Sequence, residues 1–385
     1  QAAHRAHLPV VPRAVMLGEL MRFRYGIAVA GTHGKTTTTS LTTSIFAEAG
    51  WDPTFVIGGM LNSAGTNARL GSGPYLIAEA DESDASFLHL HPLMTVLTNI
   101  DADHMETYAY DFSRLKQVFL DFLHHLPFYG LAVVCYDDPV VQELLPQISR
   151  PVHTYGFDPA ADFVATQLEA KGLQNEFVVQ RPHGLAALKV RLNLAGRHNV
   201  LNALAAIAVA TEAGIPDHLI VQALANFGGV GRRLQVYGEY RLPQGKILLI
   251  DDYGHHPKEL EVTIAAIRSA WPERRLVMAF QPHRYSRTRD LMQEFAESLS
   301  AVDALLLFEI YAAGETPLRD ISSQSLADLI ATQAAFRPQV FASQENFADQ
   351  LPACLQDNDI LLMQGAGDIG ALSAQLAQQF AREQI

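Results

Sequence analysis

Cysteine is nearly missing from this chain: among 385 residues only Cys135 and Cys354 carry thiols, far apart and at no metal-binding spacing. That excludes a disulfide scaffold and a thiolate metal centre. Each lies in or beside an apolar segment, as reduced, buried thiols do. Basic residues are also outnumbered, 28 Lys+Arg against 41 Asp+Glu for a formal charge of −13. This argues against nucleic acid as a partner but leaves room for a local basic site holding one phosphorylated ligand. No run reaches the ~18 apolar residues of a membrane span, so no membrane insertion is expected. The opening QAAHRAHLPVVPRAVML has neither a signal-peptide core nor an initiator Met. The expectation is a cytoplasmic protein that has lost a first segment.

What is present is a globular composition, 49% hydrophobic and 18% charged, long enough for two or three domains. Short apolar runs alternate with helical-period segments, the pattern of an α/β fold. Tyr25–Ala30 reads as a buried strand, followed by a Gly/Thr-rich turn and a helix to about Ala49. Further strands are expected at 75–80, 94–100 and 131–136, and a helix at 112–125. Between Asp162 and Leu194 the alternation and turn residues predict an antiparallel patch. An Ala-rich helix follows from His198 to Gly214. After the hinge-like stretch 227–233 a second series is expected, with strands at 246–250, 276–280, 304–308 and 360–363 and helices beginning near Pro257, Thr288, Ser322 and Gln344. These elements divide the chain into a short leading segment at 1–24, a first α/β domain at 25–228 and a second at 229–385.

The strongest chemical signal is Gly31-Thr32-His33-Gly34-Lys35-Thr36-Thr37 at a strand–helix junction. Glycines allow the backbone to curl around phosphate oxygens, and a helix N-terminus favours the anion. In such a loop Lys35 neutralises the β/γ-phosphates and the Thr36 hydroxyl ligates Mg²⁺, although the spacing is two residues shorter than the standard phosphate loop. Two acidic strand ends follow, Glu79-Ala-Asp-Glu-Ser-Asp84 and Asp101-Ala-Asp-His104. Carboxylates there suit a hard cation.

These motifs, with Gly196-Arg-His198-Asn-Val-Leu-Asn202, Gly231-Arg-Arg233, Asp251-Asp-Tyr253-Gly-His255-His-Pro and Gln281-Pro-His-Arg284-Tyr-Ser-Arg287, resemble the Mur ligases of peptidoglycan synthesis. The second-half motifs look like the family's alanine-adding branch. The resemblance implies a central ATPase domain, a mostly parallel sheet with an antiparallel patch, followed by a Rossmann-like C-terminal domain. The family's N-terminal UDP-binding domain would be the missing segment, which puts the fragment's activity in question. The implied reaction uses ATP and Mg²⁺ to activate the lactyl carboxylate of UDP-N-acetylmuramate as an acyl phosphate, which the amine of L-alanine attacks. Lys35, Thr36, Glu79 and His104 would handle phosphate and metal, with Glu82 and Asp84 in weaker roles. His198 and Asn202 fall at adenine-binding positions. Arg232, with Arg233 beside it on the nucleotide, would add positive charge on domain closure.

Arg284 and Arg287 are expected to clamp the alanine carboxylate beyond a strand end. The resemblance puts Tyr253 and His255 near the incoming amine, with His255 a candidate base. The remaining histidines of this half are read as structural. Gly365-Ala-Gly-Asp-Ile-Gly370 mimics a dinucleotide fingerprint but has no following strand and no acid ~20 residues on. Lys116 is read as an ordinary helix lysine. The chain is expected to be a monomer or homodimer. Alternative readings are a murein-peptide recycling ligase, which joins a whole peptide to the same sugar nucleotide, and an ATP-dependent switch without ligation.

Overall fold

The computed structural model describes residues 2–345 and 347–382. The chain divides into two compact units, Gln1–Val230 and Gly231–Ile385.

In the first unit the strands are β1 (Tyr25–Ala30), β2 (Thr54–Leu61), β3 (Thr66–Arg69), β4 (Tyr75–Glu79), β5 (Met94–Leu97), β6 (Leu131–Cys135), β7 (Val152–Gly156), β8 (Phe163–Lys171), β9 (Gln174–Gln180) and β10 (Leu188–Leu192). Its helices are α1 (Ala2–Arg5), α2 (Arg13–Met21), α3 (Lys35–Glu48), α4 (Phe112–His124), α5 (Pro139–Leu144), α6 (Arg197–Glu212) and α7 (Asp217–Ala225). The strands form one sheet in the order β10-β9-β8-β7-β6-β5-β1-β4-β2-β3. From β2 to β8 neighbouring strands run parallel, while β3, β9 and β10 pair antiparallel. This is the mostly parallel sheet with an antiparallel patch that the sequence predicts.

Both sheet faces are covered, so the parallel strands are continuous apolar runs. Successive β1 residues go to opposite cores: Ile27 and Val29 to one, Ala28 and Ala30 to the other. On the first face α3 packs against the Ala-rich α6, whose residues 202–210 are all buried. Small side chains on α6 let the two helices approach closely. Three hydroxyls of α3 are satisfied within the helix: Thr39, Ser40 and Thr42 donate to the carbonyls of Lys35, Thr36 and Thr38 at 2.7–2.8 Å. A Thr/Ser-rich helix thereby tolerates burial.

The second unit contains β11 (Gln235–Leu242), β12 (Gly245–Asp252), β13 (Leu276–Phe280), β14 (Ala304–Phe308), β15 (Gln339–Phe341) and β16 (Asp359–Gln364), in the order β11-β12-β16-β13-β14-β15. Among the described strands of this unit only the β11–β12 pair is antiparallel. Helices α8 (Pro257–Ala270), α9 (Tyr285–Asp290), α10 (Met292–Leu299), α11 (Ser323–Ile330), α12 (Phe347–Gln350) and α13 (Ile369–Arg382) complete it. Leu248 and Ile250 face one core, Ile247 and Leu249 the other.

Two features depart from expectation. The helix expected near Thr288 is two helices, α9 and α10, broken at Leu291. It begins early enough that Arg287 lies inside α9 while Arg284 becomes its N-cap. The β2–β3 hairpin and β11 lack sequence alternation: β3 is exposed and polar, and β11 carries a bulge between Val236 and Gly238.

Candidate active site

In the first unit, β1 lies between β4 and β5, the point where the strand order reverses and open α/β sheets hold ligands. The Gly31–Gly34 turn leaves β1 there, and the acidic strand ends leave its two neighbours. Gly31 and Gly34 have φ of +125° and +83°, and a side chain on Gly31 would meet Thr98 Oγ1 at 2.1 Å. The turn therefore demands glycine for both conformation and space. The β5 end latches it. Thr32 N–H donates to the Asn99 carbonyl and His33 N–H to Asn99 Oδ1, at 3.0 and 2.8 Å. Thr98 Oγ1 and Asn99 Nδ2 both donate to the His33 carbonyl. With those two N–H groups engaged, the cradle an anion meets is the start of α3, where Lys35, Thr36 and Thr37 sit.

Lys35 Nζ donates to the Gly31 and Thr32 carbonyls at 2.7 and 2.9 Å and pairs with Glu82 Oε2 at 2.7 Å. Burial pulls the Lys35 ammonium toward neutrality, but the carboxylates of Glu82, Glu79 and Asp81 outweigh it, and the net shift is upward. Burial pushes the Glu82 carboxyl up to about 7, against the pull of Lys35. Thr36 Oγ1 lies 3.0 Å from both oxygens of Glu79, and Glu79 also accepts from Gly58 N–H at 2.7 Å. A hydroxyl and a carboxylate at this distance form a hard oxygen pair suited to Mg²⁺. His104 occupies a left-handed conformation, φ +53°, with its ring Nε2 3.6 Å from Asp103 Oδ2. His33 lies 3.5 Å from Asp101.

Asn202, on α6, is buried against the turn: a side chain on Gly34 would meet its Oδ1 at 2.5 Å. Its amide accepts from Thr38 Oγ1 and donates to Asn199 Oδ1. His198 is half-buried at the start of the same helix. Asp84 caps the following turn by accepting from Ser86 N–H at 2.9 Å. Lys116 pairs with Glu143 at 2.7 Å on the surface of α4.

In the second unit the polar groups collect at the C-terminal ends of β12, β13 and β16. Tyr253 presents its ring to two guanidinium groups, Arg232 at 5.2 Å and Arg233 at 5.0 Å. His255 meets the Tyr253 ring edge-on at 5.3 Å and the His283 ring at 5.5 Å. His283 stacks on Tyr311 at 5.5 Å and 12°, and Arg287 Nη1 lies 3.5 Å from His283 Nδ1. Tyr253, His255 and Arg287 are thus linked through His283, which sequence reasoning set aside as structural. Its signal was adjacency to Arg284 in the same run.

Arg284 is held at φ +72° with its N–H bonded to the Tyr311 carbonyl at 2.8 Å. Its charge bears on Glu315: burial raises that carboxyl, but bonds from Ser286 and the nearby Arg284 bring it below its ordinary value. Glu259 accepts from the His255 and His256 N–H groups and caps α8. Arg232 has φ +58°, lies 3.4 Å from Asp251, and bonds the carbonyls of Gly365 and Gly367. The Gly365–Gly370 turn is filled from within, since side chains on Gly367 and Gly370 would collide with Gln281 and Arg232. His104, Arg232 and Arg284 all have positive φ, which non-glycine residues adopt at a cost of about 1–3 kcal/mol.

Residues 29–210 match the Mur ligase middle domain and residues 232–367 the Mur ligase glutamate ligase domain. The UDP-N-acetylmuramate-alanine ligase of Thermotoga maritima is similar over 99% of this chain and 82% of its own, at 25% identity and a TM-score of 0.81. The UDP-N-acetylmuramate:L-alanyl-gamma-D-glutamyl-meso-diaminopimelate ligase of Neisseria meningitides is 31% identical over 60% of this chain and 75% of its own, with a TM-score of 0.54. A MurF ligase of Thermotoga maritima, solved with ADP, shares the fold at 18% identity, 98% and 86% coverage and a TM-score of 0.73. No helix among the described residues is long and apolar enough to cross a membrane. Matched along both units by the two domain models, the chain belongs to the Mur ligase family, whose members are ATP-dependent ligases.

Proposed function

We propose that the chain ligates L-alanine to the lactyl carboxylate of UDP-N-acetylmuramate through an acyl phosphate, releasing ADP and phosphate. In this reading residues 25–228 bind ATP and 229–385 bind the amino acid. The observation that carries it is the convergence of Lys35, Thr36 and Glu79 on one glycine turn. Carboxylate and triphosphate must meet despite like charge, a repulsion of about 4 kcal/mol per unit pair at 4 Å and an effective dielectric of 20. Lys35 offsets that charge and orients the terminal phosphates. Thr36 and Glu79, with His104 a further candidate, would hold Mg²⁺, which when bound neutralises phosphate charge.

In this reading His198 and Asn202 of the first unit are adenine contacts, and Arg233 is a further nucleotide contact. Arg232 supplies positive charge if it leaves its carbonyl partners. Arg284 and Arg287 hold the alanine carboxylate, beside Tyr253. His255 takes a proton from the ammonium, and its contacts with Tyr253 and Glu259 fix its ring.

The 25% identity to the Thermotoga maritima alanine ligase over nearly the whole chain supports alanine as the acceptor. The 31% identity to the Neisseria meningitides enzyme favours a second reading, in which the tripeptide of that enzyme's name replaces alanine. Phosphate release from ATP, measured with UDP-N-acetylmuramate and either alanine or tripeptide, decides between them. Release that requires alanine supports the first reading, and release that requires tripeptide supports the second. Release indifferent to both points to a nucleotide switch and overturns ligation.

A further inference from the structure

Lys35 Nζ donates to the Gly31 and Thr32 carbonyls and forms an ion pair with Glu82 Oε2 at 2.7 Å, so three oxygens crowd one ammonium. Any phosphate that Lys35 contacts competes with these oxygens for the ammonium. Glu82 is the only charged member of that set, and its side chain is 3% exposed against 11% for Lys35. We propose that Glu82 is a positioning residue of the nucleotide site, holding the Lys35 ammonium in competition with the terminal phosphates and so setting how tightly ATP and ADP bind. This rests on the ATP-binding reading of the Gly31–Thr36 turn.

The surroundings make Lys35, not Glu82, the mobile partner. Tyr108 hydroxyl bonds the Glu82 carbonyl, Thr107 Oγ1 bonds the Ser83 carbonyl at 2.6 Å, and Ser83 N–H bonds Asp81. Ala85 closes the same turn in a left-handed conformation, φ +58°. These contacts fix the acidic turn, whereas Lys35 carries its charge on a flexible four-carbon stem. Glu79 cannot substitute as the competitor, because Thr36 and Gly58 already hold its carboxylate. Because both side chains are buried, the Lys35–Glu82 attraction is stronger than the same pair would feel at a surface. A neutral side chain in place of Glu82 removes the largest of the carboxylate charges acting on the ammonium and leaves the weaker Glu79 and Asp81, so an incoming phosphate meets less competition.

Calorimetry of the intact chain with ATP and with ADP, in the presence of magnesium, tests this. E82Q is expected to bind both nucleotides roughly tenfold tighter than the unaltered protein, the scale of one hydrogen bond to a charged group. E82D lengthens the pair and is expected to fall between the two, which keeps the test open if E82Q does not fold. In a K35A background, E82Q is expected to leave affinity unchanged, a coupling that a merely structural role for Glu82 would not produce. Equal or weaker binding by both E82Q and E82D overturns the proposal. So does a full E82Q effect without Lys35. If the unaltered protein binds neither nucleotide, the ATP-binding reading falls first and this inference with it.

Discussion

Glu82 in the first unit and Asp251 in the second are both sealed from solvent beside a cation, and burial lifts both carboxyls to about 7. Their partners differ. Lys35 lies 2.7 Å from Glu82 on a flexible stem at the mouth of a phosphate-type turn. Arg232 lies 3.4 Å from Asp251 with its planar head against the carbonyls of Gly365 and Gly367, filling the space that Gly370 leaves. A second buried acid, Asp252, raises Asp251 further. On the inference drawn above, the first pair is exchanged for a ligand's charge when the Lys35 side chain rotates. The second braces the last strand–helix turn and cannot be exchanged without disturbing that turn. Similar electrostatics thus serve different ends according to what else holds the cation.

The largest effect that sharpens this contrast is expected for Lys35→Ala. Ligand-linked phosphate release should fall by at least ~10³-fold, as for loss of a charge aimed at a transferring phosphoryl group. The far-UV circular dichroism should stay unchanged, because Glu82 can take up a proton near neutral pH. Arg287→Ala should raise the KM for alanine by roughly 30-fold, the scale of a truncated charge pair, with the KM for ATP unmoved. Equal shifts in both constants would break the assignment of amino-acid binding to the second unit.

Asp251→Asn probes the bracing pair through pH. Because the Asp251 carboxyl is raised in the folded state, the folded unit keeps a proton that the unfolded chain releases above its ordinary range near 4. Stability should therefore be highest below that range and fall as pH rises toward about 7. The difference in unfolding free energy between the natural protein and Asp251→Asn should shrink or reverse over that window, by on the order of 2–4 kcal/mol. Glu82 shifts in the same direction but is common to both proteins, so the difference isolates Asp251. A pH-independent difference would refute a raised Asp251. The smallest effect is expected at Ser322, which caps α11 by accepting from Ser325 N–H at 3.1 Å. Ser322→Ala should lower stability by about 1 kcal/mol in urea unfolding, with no change in either KM.

Strands sealed on both faces were the most legible in sequence. β1, β13 and β14 run over the residues expected of them, because continuous apolar runs have no other stable place. The β2–β3 hairpin was not legible: β3 is exposed, and β2 passes through Gly58 and Gly59 where the chain approaches Glu79. In the candidate site, Thr36 and Glu79 were paired by motif alone, and they meet at 3.0 Å. Glu82 was expected only in a weaker role, because nothing local distinguishes it from Asp81 or Asp84. Its burial against Lys35 comes from the fold of the acidic turn, which also leaves Asp84 to cap the next segment. His283 was similarly hidden, since only the packing of Tyr311 and Arg287 around it reveals its place.

The amino-acid order alone settled the α/β class, the glycine turn between a buried strand and a helix, and which residue types could meet phosphate and metal. These are local matters, set by periodicity, by the φ that glycine permits and by the charge of each side chain. Which carboxylate neutralises Lys35, which guanidinium is pinned, and which histidine joins the others were decided only by tertiary packing. Burial and partner distance are properties of chain segments far apart in sequence, and they fix how a charge behaves.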